Sequence, residues 1–301
     1  MTDARTDAER AAAVPGAPRA DAATLGTRGL TAGYERAAVL RELDVDIPER
    51  SFTVIVGPNA CGKSTLLRSM ARLLRPAAGQ VVLGGEDIAR LRAKELARRL
   101  GLLPQSSTAP DGITVADLVS RGRHPHQSPL RPWSSRDEAA VRDALAATRL
   151  TPLARRPVDA LSGGQRQRVW IAMVLAQETP LLLLDEPTTF LDLAHQLDVL
   201  DLCTRLHREG RTLVAVLHDL NQAARHATWL IAMKDGRIAA QGPPGEVVTG
   251  ALVEEVFGVR ARVIEDPETG TPLVVPRARP LPHHPHPPHH PAPLTDRRHP
   301  S

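Results

Sequence analysis

The sequence predicts an α/β fold built around a sheet of buried, mainly parallel strands, and three observations carry that expectation. Apolar runs recur at Phe52–Val56, Leu100–Leu103, Leu181–Leu184 and within Arg211–Leu217, continuous enough to be covered on both faces. A glycine loop, Gly57-x-x-x-x-Gly62-Lys63-Ser64, joins the first run to a helical pattern. Polar residues follow each run at once: Lys63 and Ser64 through the loop, then Gln105, Asp185 with Glu186, and His218. Parallel α/β sheets bind ligands at that carboxyl edge.

Taken in order, Met1 to about Leu25 is rich in Ala, Arg and Asp and lacks the apolar core of a signal peptide, so a disordered leader is expected. Ordered structure is expected from Gly26. Val39–Ile47 ends in the alternation of a half-exposed strand. Tyr34, the sole tyrosine, either closes a turn or offers a ring for stacking on a base, and its surroundings leave both open.

The loop from Gly57 to Thr65 is suited to phosphate. Its glycines let successive N–H groups face one anion, and the following helix adds its positive end. Lys63 can reach the β/γ-phosphates and the Ser64 hydroxyl can ligate Mg²⁺. That helix runs from Lys63 towards Leu74 and stops before Pro76. Gly79–Gly85 reads as a strand and turn, and Ala93–Arg99 as a charged helix.

From Thr114 to Leu161 the composition changes. Helical segments at Thr114–Arg121 and Arg136–Arg149 flank a Pro-rich polar stretch, Gly122–Trp133. His124, His126 and Trp133 on it are either partner-docking residues or ordinary solvated ones. Leu161-Ser162-Gly163-Gly164-Gln165 opens a helix over about Gln165–Gln177. Its hydroxyl, free N–H groups and dipole form a second anion site. Asp185 suits a Mg²⁺ ligand, and Glu186 beside it can polarise an attacking water. Beyond His218, Asn221–His226 reads as helix, Trp229–Met233 as strand and Lys234–Arg237 as a hairpin turn.

Composition sets the bounds. The 301 residues, 42% of them hydrophobic, suffice for one large domain with a subdomain. The net charge of +4 comes from scattered arginines with few aromatics between them, which argues against nucleic acid as a partner. Cys61 and Cys203 have no metal-binding spacing and point to a reducing compartment. No stretch approaches the roughly 18 apolar residues of a membrane helix. A cytoplasmic protein is expected, acting on any membrane through partners.

Gly57–Thr65, Gln105, Leu161–Gln165, Leu184-Asp-Glu-Pro187, Leu191-Asp192 and His218 together resemble the ATP-binding subunits of ABC transporters, over about Gly26 to Pro276. Ser120–Gln127, Gly163–Glu178 and Gly270–Pro276 resemble more narrowly the ATPases of ferric siderophore importers, those for ferric enterobactin above all. The resemblance implies an ABC-type P-loop ATPase domain over residues 26–276, with a RecA-like mixed sheet core, an N-terminal antiparallel β subdomain and a helical insertion at about 106–165.

It also implies roles. Gly57, Pro58, Asn59, Ala60, Cys61, Gly62, Lys63, Ser64 and Thr65 would hold the phosphates of ATP, with Ser64, Gln105 and Asp185 around Mg²⁺. Glu186 would be the general base and His218 would contact the γ-phosphate. Lys63 and Gln105 complete the catalytic set, and Tyr34 would stack on adenine. Ser162, Gly163, Gly164 and Gln165 would reach ATP on a second copy, giving a head-to-tail homodimer with Asp192 in the bridging segment. Residues 105–133 would receive a membrane permease, fed by a substrate-binding protein, placing the chain peripherally on the cytoplasmic face of the membrane.

Ala60 departs from the pattern, because members of this branch usually carry Gly there; its methyl needs a backbone that a non-glycine residue tolerates. The Pro-, His- and Arg-rich segment 277–301 reads as a disordered tail rather than a metal site. Two rival functions stay open: an importer ATPase for haem, cobalamin or another chelate, and a soluble ABC protein, although one phosphate loop and a short insertion argue against the latter.

Overall fold

The computed structural model describes residues 23–34, 37–105, 108–128, 133–189 and 191–278. The expected leader and tail lie outside these residues, apart from their inner edges. Strand β1 (Ala23–Tyr34) begins three residues before the expected boundary at Gly26. The reason is Leu25, which is fully buried and pairs with Ile47 on one side and Leu83 on the other.

Two sheets share the chain. The N-terminal one is antiparallel, in the order β2-β1-β4-β5, formed with β2 (Ala37–Pro48), β4 (Ala78–Leu83) and β5 (Glu86–Asp87). The central one has the order β10-β9-β3-β8-β7-β6. Here β3 (Phe52–Val56), β6 (Leu100–Leu103), β7 (Leu181–Asp185), β8 (Thr212–Val216) and β9 (Trp229–Lys234) run parallel, and β10 (Arg237–Gly242) returns antiparallel through the expected hairpin turn.

Why these strands are apolar throughout follows from what covers them. Val54, Val56, Leu182 and Leu184 enter a core under the helices, whereas the alternating Ile55, Leu181 and Leu183 enter a second core under the antiparallel sheet. Period-two alternation therefore sends successive apolar residues into one core or the other.

Helix α1 (Lys63–Met70) packs Leu66, Leu67 and Met70 into the second core and ends earlier than the expected Leu74. Then come α2 (Ala93–Arg99), α3 (Val115–Ser120), α4 (Ser135–Ala147) and α5 (Gly163–Ala176). The last three bury Val119, Val141 and Val169 together, which makes the expected helical insertion a covered layer of the first core. Helix α6 (Leu193–Arg208), absent from the sequence-based expectations, starts at an Asp192 cap. The chain closes with α7 (Leu220–His226), α8 (Pro244–Val247), α9 (Gly250–Phe257) and a hairpin of β11 (Ala261–Glu265) and β12 (Pro272–Pro276).

The polar stretch after α3 is not a free loop. Arg121–His126 forms a 3₁₀ helix, and Arg123 is only 1% exposed. Its guanidinium meets Asp137 and Glu178, each at 2.8 Å, and donates to the Ala176 carbonyl at 2.7 Å. His126 Nε2 lies 2.8 Å from the Gln177 carbonyl, while His124 and Trp133 remain exposed. Among the described residues, no helix is long and apolar enough to cross a membrane.

Candidate nucleotide site

The carboxyl edge of the central sheet gathers the predicted residues. Gly57 ends β3 at φ 154°, where a Cβ would stand 2.3 Å from the Met233 carbonyl oxygen, so only glycine lets the chain pass β9 and turn. Gly62 caps α1 at φ 108°. The Lys63 amine is buried and donates to the Gly57 and Pro58 carbonyls at 2.9 and 2.8 Å, which curls the loop over its own lysine. Ala60 adopts φ 61°, left-handed backbone that L-residues with a Cβ disfavour. The departure seen in the sequence thus falls at a strained position.

Asn59, Ala60, Gly62, Lys63, Ser64 and Thr65 line an open cleft of about 270 Å³ together with Tyr34, Val39, Glu186 and His218. Gly57, Pro58 and Cys61 shape the loop from behind it. The Cys61 thiol is buried in the second core, and that burial raises its pKa, so it contributes structure rather than a ligand.

Two acids end β7 and behave differently. Asp185 is buried, which pushes its pKa up, against the Ser64 hydroxyl that donates to Oδ1 at 2.9 Å and the Arg68 charge. Burial also opposes ionisation of Glu186, but its neighbours prevail and hold it below the ordinary carboxylate range. His218 Nε2 is 2.9 Å from Oε1, while Gln105 and Thr189 donate to Oε2 at 2.9 and 3.1 Å. Glu186 sits at φ 52°, a strained backbone held by these contacts.

Ser64 and Asp185 present two hard oxygens to one point, a donor set that fits Mg²⁺. Gln105 does not join them in this structure and rests on Glu186 instead. Ser162, Gly163, Gly164 and Gln165 do not line the cleft. They form a capping box at the start of α5, in which Ser162 Oγ accepts from the Gln165 N–H and Gln165 Oε1 accepts from the Ser162 N–H. Gly164 faces His195 so closely that a Cβ would stand 2.8 Å from the ring. Asp192 caps α6 and holds the same ring at 2.6 Å.

Three neighbours escape the motif-based reading. Arg68, Thr189 and His195 each stand three or four residues from a motif residue, and helical or turn spacing is the signal that could have found them.

A glycine loop over a buried lysine, a paired hydroxyl and carboxylate, and a second acid gripped by histidine and glutamine define a nucleotide-hydrolase site of the phosphate-loop class. The ABC transporter family model matches residues 40–189. The ferric enterobactin transport ATP-binding protein FepC of Escherichia coli is 57% identical over 84% of this chain and 94% of its own length. The achromobactin transport ATP-binding protein CbrD of Dickeya dadantii is 53% identical over 85% and 96%. The dimeric ABC transporter cassette MJ0796 superposes with a TM-score of 0.65 at 28% identity, over 73% of this chain and 98% of that one. The chain belongs to the ABC transporter ATP-binding family.

Proposed function

We propose that this chain is the ATP-hydrolysing subunit of an importer for ferric siderophores, working with a membrane permease. The observation that carries the catalytic half is Glu186: it is ionised, strained and held on both oxygens at the edge of the cleft. On this reading Glu186 takes the proton of the attacking water, and His218 orients the γ-phosphate side. Lys63 leaves the Gly57 and Pro58 carbonyls for the β/γ-phosphates. Mg²⁺, held by Ser64 and Asp185 and completed by Gln105, would offset phosphate charge. Tyr34 stacks on adenine.

Ser162–Gln165 serve the ATP of a second copy, and Asp192 lies between the two copies. ATP closes the dimer, closure drives the permease through residues 105–133, and hydrolysis resets it. A substrate-binding protein supplies the chelate from outside, and the chain sits on the inner face of the membrane. The relatives named for ferric enterobactin and achromobactin transport support the cargo.

Growth of a strain lacking this chain under iron limitation, with ferric enterobactin, other siderophores or haem as sole iron source, tests the cargo. Loss on siderophores with growth kept on haem is expected, and the reverse pattern would reassign it. Lys63→Ala should lose tight ATP binding in the purified protein; unchanged affinity would remove the loop from its role.

A further inference from the structure

Ser64 and Arg68 stand four residues apart on α1, on one helix face. Both reach Asp185. Ser64 Oγ donates to Oδ1 at 2.9 Å, and Arg68 Nε lies 3.9 Å from Oδ2. Arg68 also reaches the opposite way, where Nη1 donates to the Tyr34 hydroxyl at 3.2 Å. Tyr34 ends β1 in the other sheet and is 45% exposed, and among the described residues this is its hydroxyl's one hydrogen bond.

An arginine in the last turn of a helix ordinarily complements the dipole. Arg68 does more. Its guanidinium lies in ion-pair range of a buried carboxylate on one side and donates on the other to a ring that would otherwise choose freely among rotamers at the mouth of the cleft.

We propose that Arg68 is a positioning residue for base recognition: it fixes the Tyr34 ring, by reference to Asp185, in the orientation that stacks on the nucleotide base. This rests on the reading of Tyr34 as the base platform. A ring ordered before binding loses less rotamer freedom when the base arrives. The phosphates gain nothing from it, so the signature is the ratio of ATP affinity to that of inorganic tripolyphosphate, which carries the same phosphate chain without base or sugar.

Titration calorimetry of both compounds with Mg²⁺ on five proteins, wild type, Tyr34→Ala, Tyr34→Phe, Arg68→Met and the Arg68→Met/Tyr34→Phe double variant, tests this. Tyr34→Phe keeps the ring and removes the Arg68 contact without touching Asp185. Tyr34→Ala should lower the ratio by about fivefold to 150-fold, the loss of one base stacked on an aromatic ring. Tyr34→Phe and Arg68→Met should each lower it by about threefold to tenfold, from the lost ordering of one side chain. The Arg68→Met/Tyr34→Phe double variant should be no worse than either alone.

A lowered ratio in Tyr34→Ala with an unchanged one in Arg68→Met overturns the Arg68 assignment only. An additive double variant does the same. An unchanged ratio in Tyr34→Ala overturns the base platform itself, and the Arg68 assignment with it.

Discussion

His218 Nε2 stands 2.9 Å from Glu186 Oε1, and that pairing leaves the second carboxylate oxygen to Gln105 and Thr189. A carboxylate so gripped cannot swing away from the cleft when water arrives. Glu186→Gln keeps the shape and one acceptor oxygen, turns the other into an N–H₂ donor, and removes the base. Hydrolysis should fall by about 10²–10⁴-fold with ATP affinity retained, which single-turnover and binding measurements separate. Near-normal turnover in this variant would take Glu186 out of the chemistry.

Ala60 at φ 61° offers a test in the opposite direction. Left-handed backbone costs a non-glycine residue about 1–2 kcal/mol, offset in part by the greater freedom of an unfolded glycine. Ala60→Gly should therefore raise stability by up to about 1 kcal/mol. The melting temperature reads it directly, and a fall would show that the methyl makes a compensating contact.

The Arg123 cluster ties the 3₁₀ stretch to α4 and to the end of α5. Arg123→Met leaves Asp137 buried without its cation, and removing one partner of a buried pair costs about 3–5 kcal/mol. Denaturant unfolding at neutral pH measures the loss.

Acid stability follows from the same cluster. Burial opposes ionisation of Asp137, but Ser134 and Arg123 outweigh it and bring its pKa down to about 2. The unfolded value is about 3.9. Its contribution is thus fully present above about pH 4 and is lost as pH falls towards 2. Unfolding curves between those limits should show this loss in the wild type, and Asp137→Asn should flatten it while lowering stability at pH 7.

At the C-terminus, Asn221 makes two hydrogen bonds to the Val274 backbone, at 2.7 and 3.2 Å. Asn221→Ala strands those groups, at a cost of about 1–3 kcal/mol. The hairpin of β11 and β12 should open locally. Faster hydrogen exchange confined to residues 261–276 is the expected result, and an unchanged rate there would mean that the Arg225–Asp266 pair suffices.

Much of this molecule is legible in its sequence because its signals are local. Phe52–Val56 and Leu181–Leu184 fall on the buried strands, because a strand covered on both faces is almost wholly apolar. Thr114, Ser134 and Ser162 cap helices near the expected starts, since their hydroxyls accept the first free N–H groups. What escapes is long-range. Nothing around Arg123 announces burial, because its partners Asp137 and Glu178 come from 14 and 55 residues away. Arg68 looks like a helix-end cation until β1 and β7 bring Tyr34 and Asp185 to it. Helix α6 is a different case: the Asp192 cap and the Leu197, Leu200 spacing are local helix signals, although Asp192 also belongs to the Leu191-Asp192 motif.

Ser162 and Gln165 answer each other's hydrogen-bonding needs within one chain. On the reading proposed above, the Ser162 O–H, the Gln165 side-chain N–H₂ and the N–H groups at the start of α5 would donate to a phosphate on another copy. In a solitary subunit these two residues therefore satisfy each other. On that reading a copy holding ATP offers these donors a charged acceptor. Pairing would then act as a test of whether the other site is loaded, and the energy source would be checked before the joint closes.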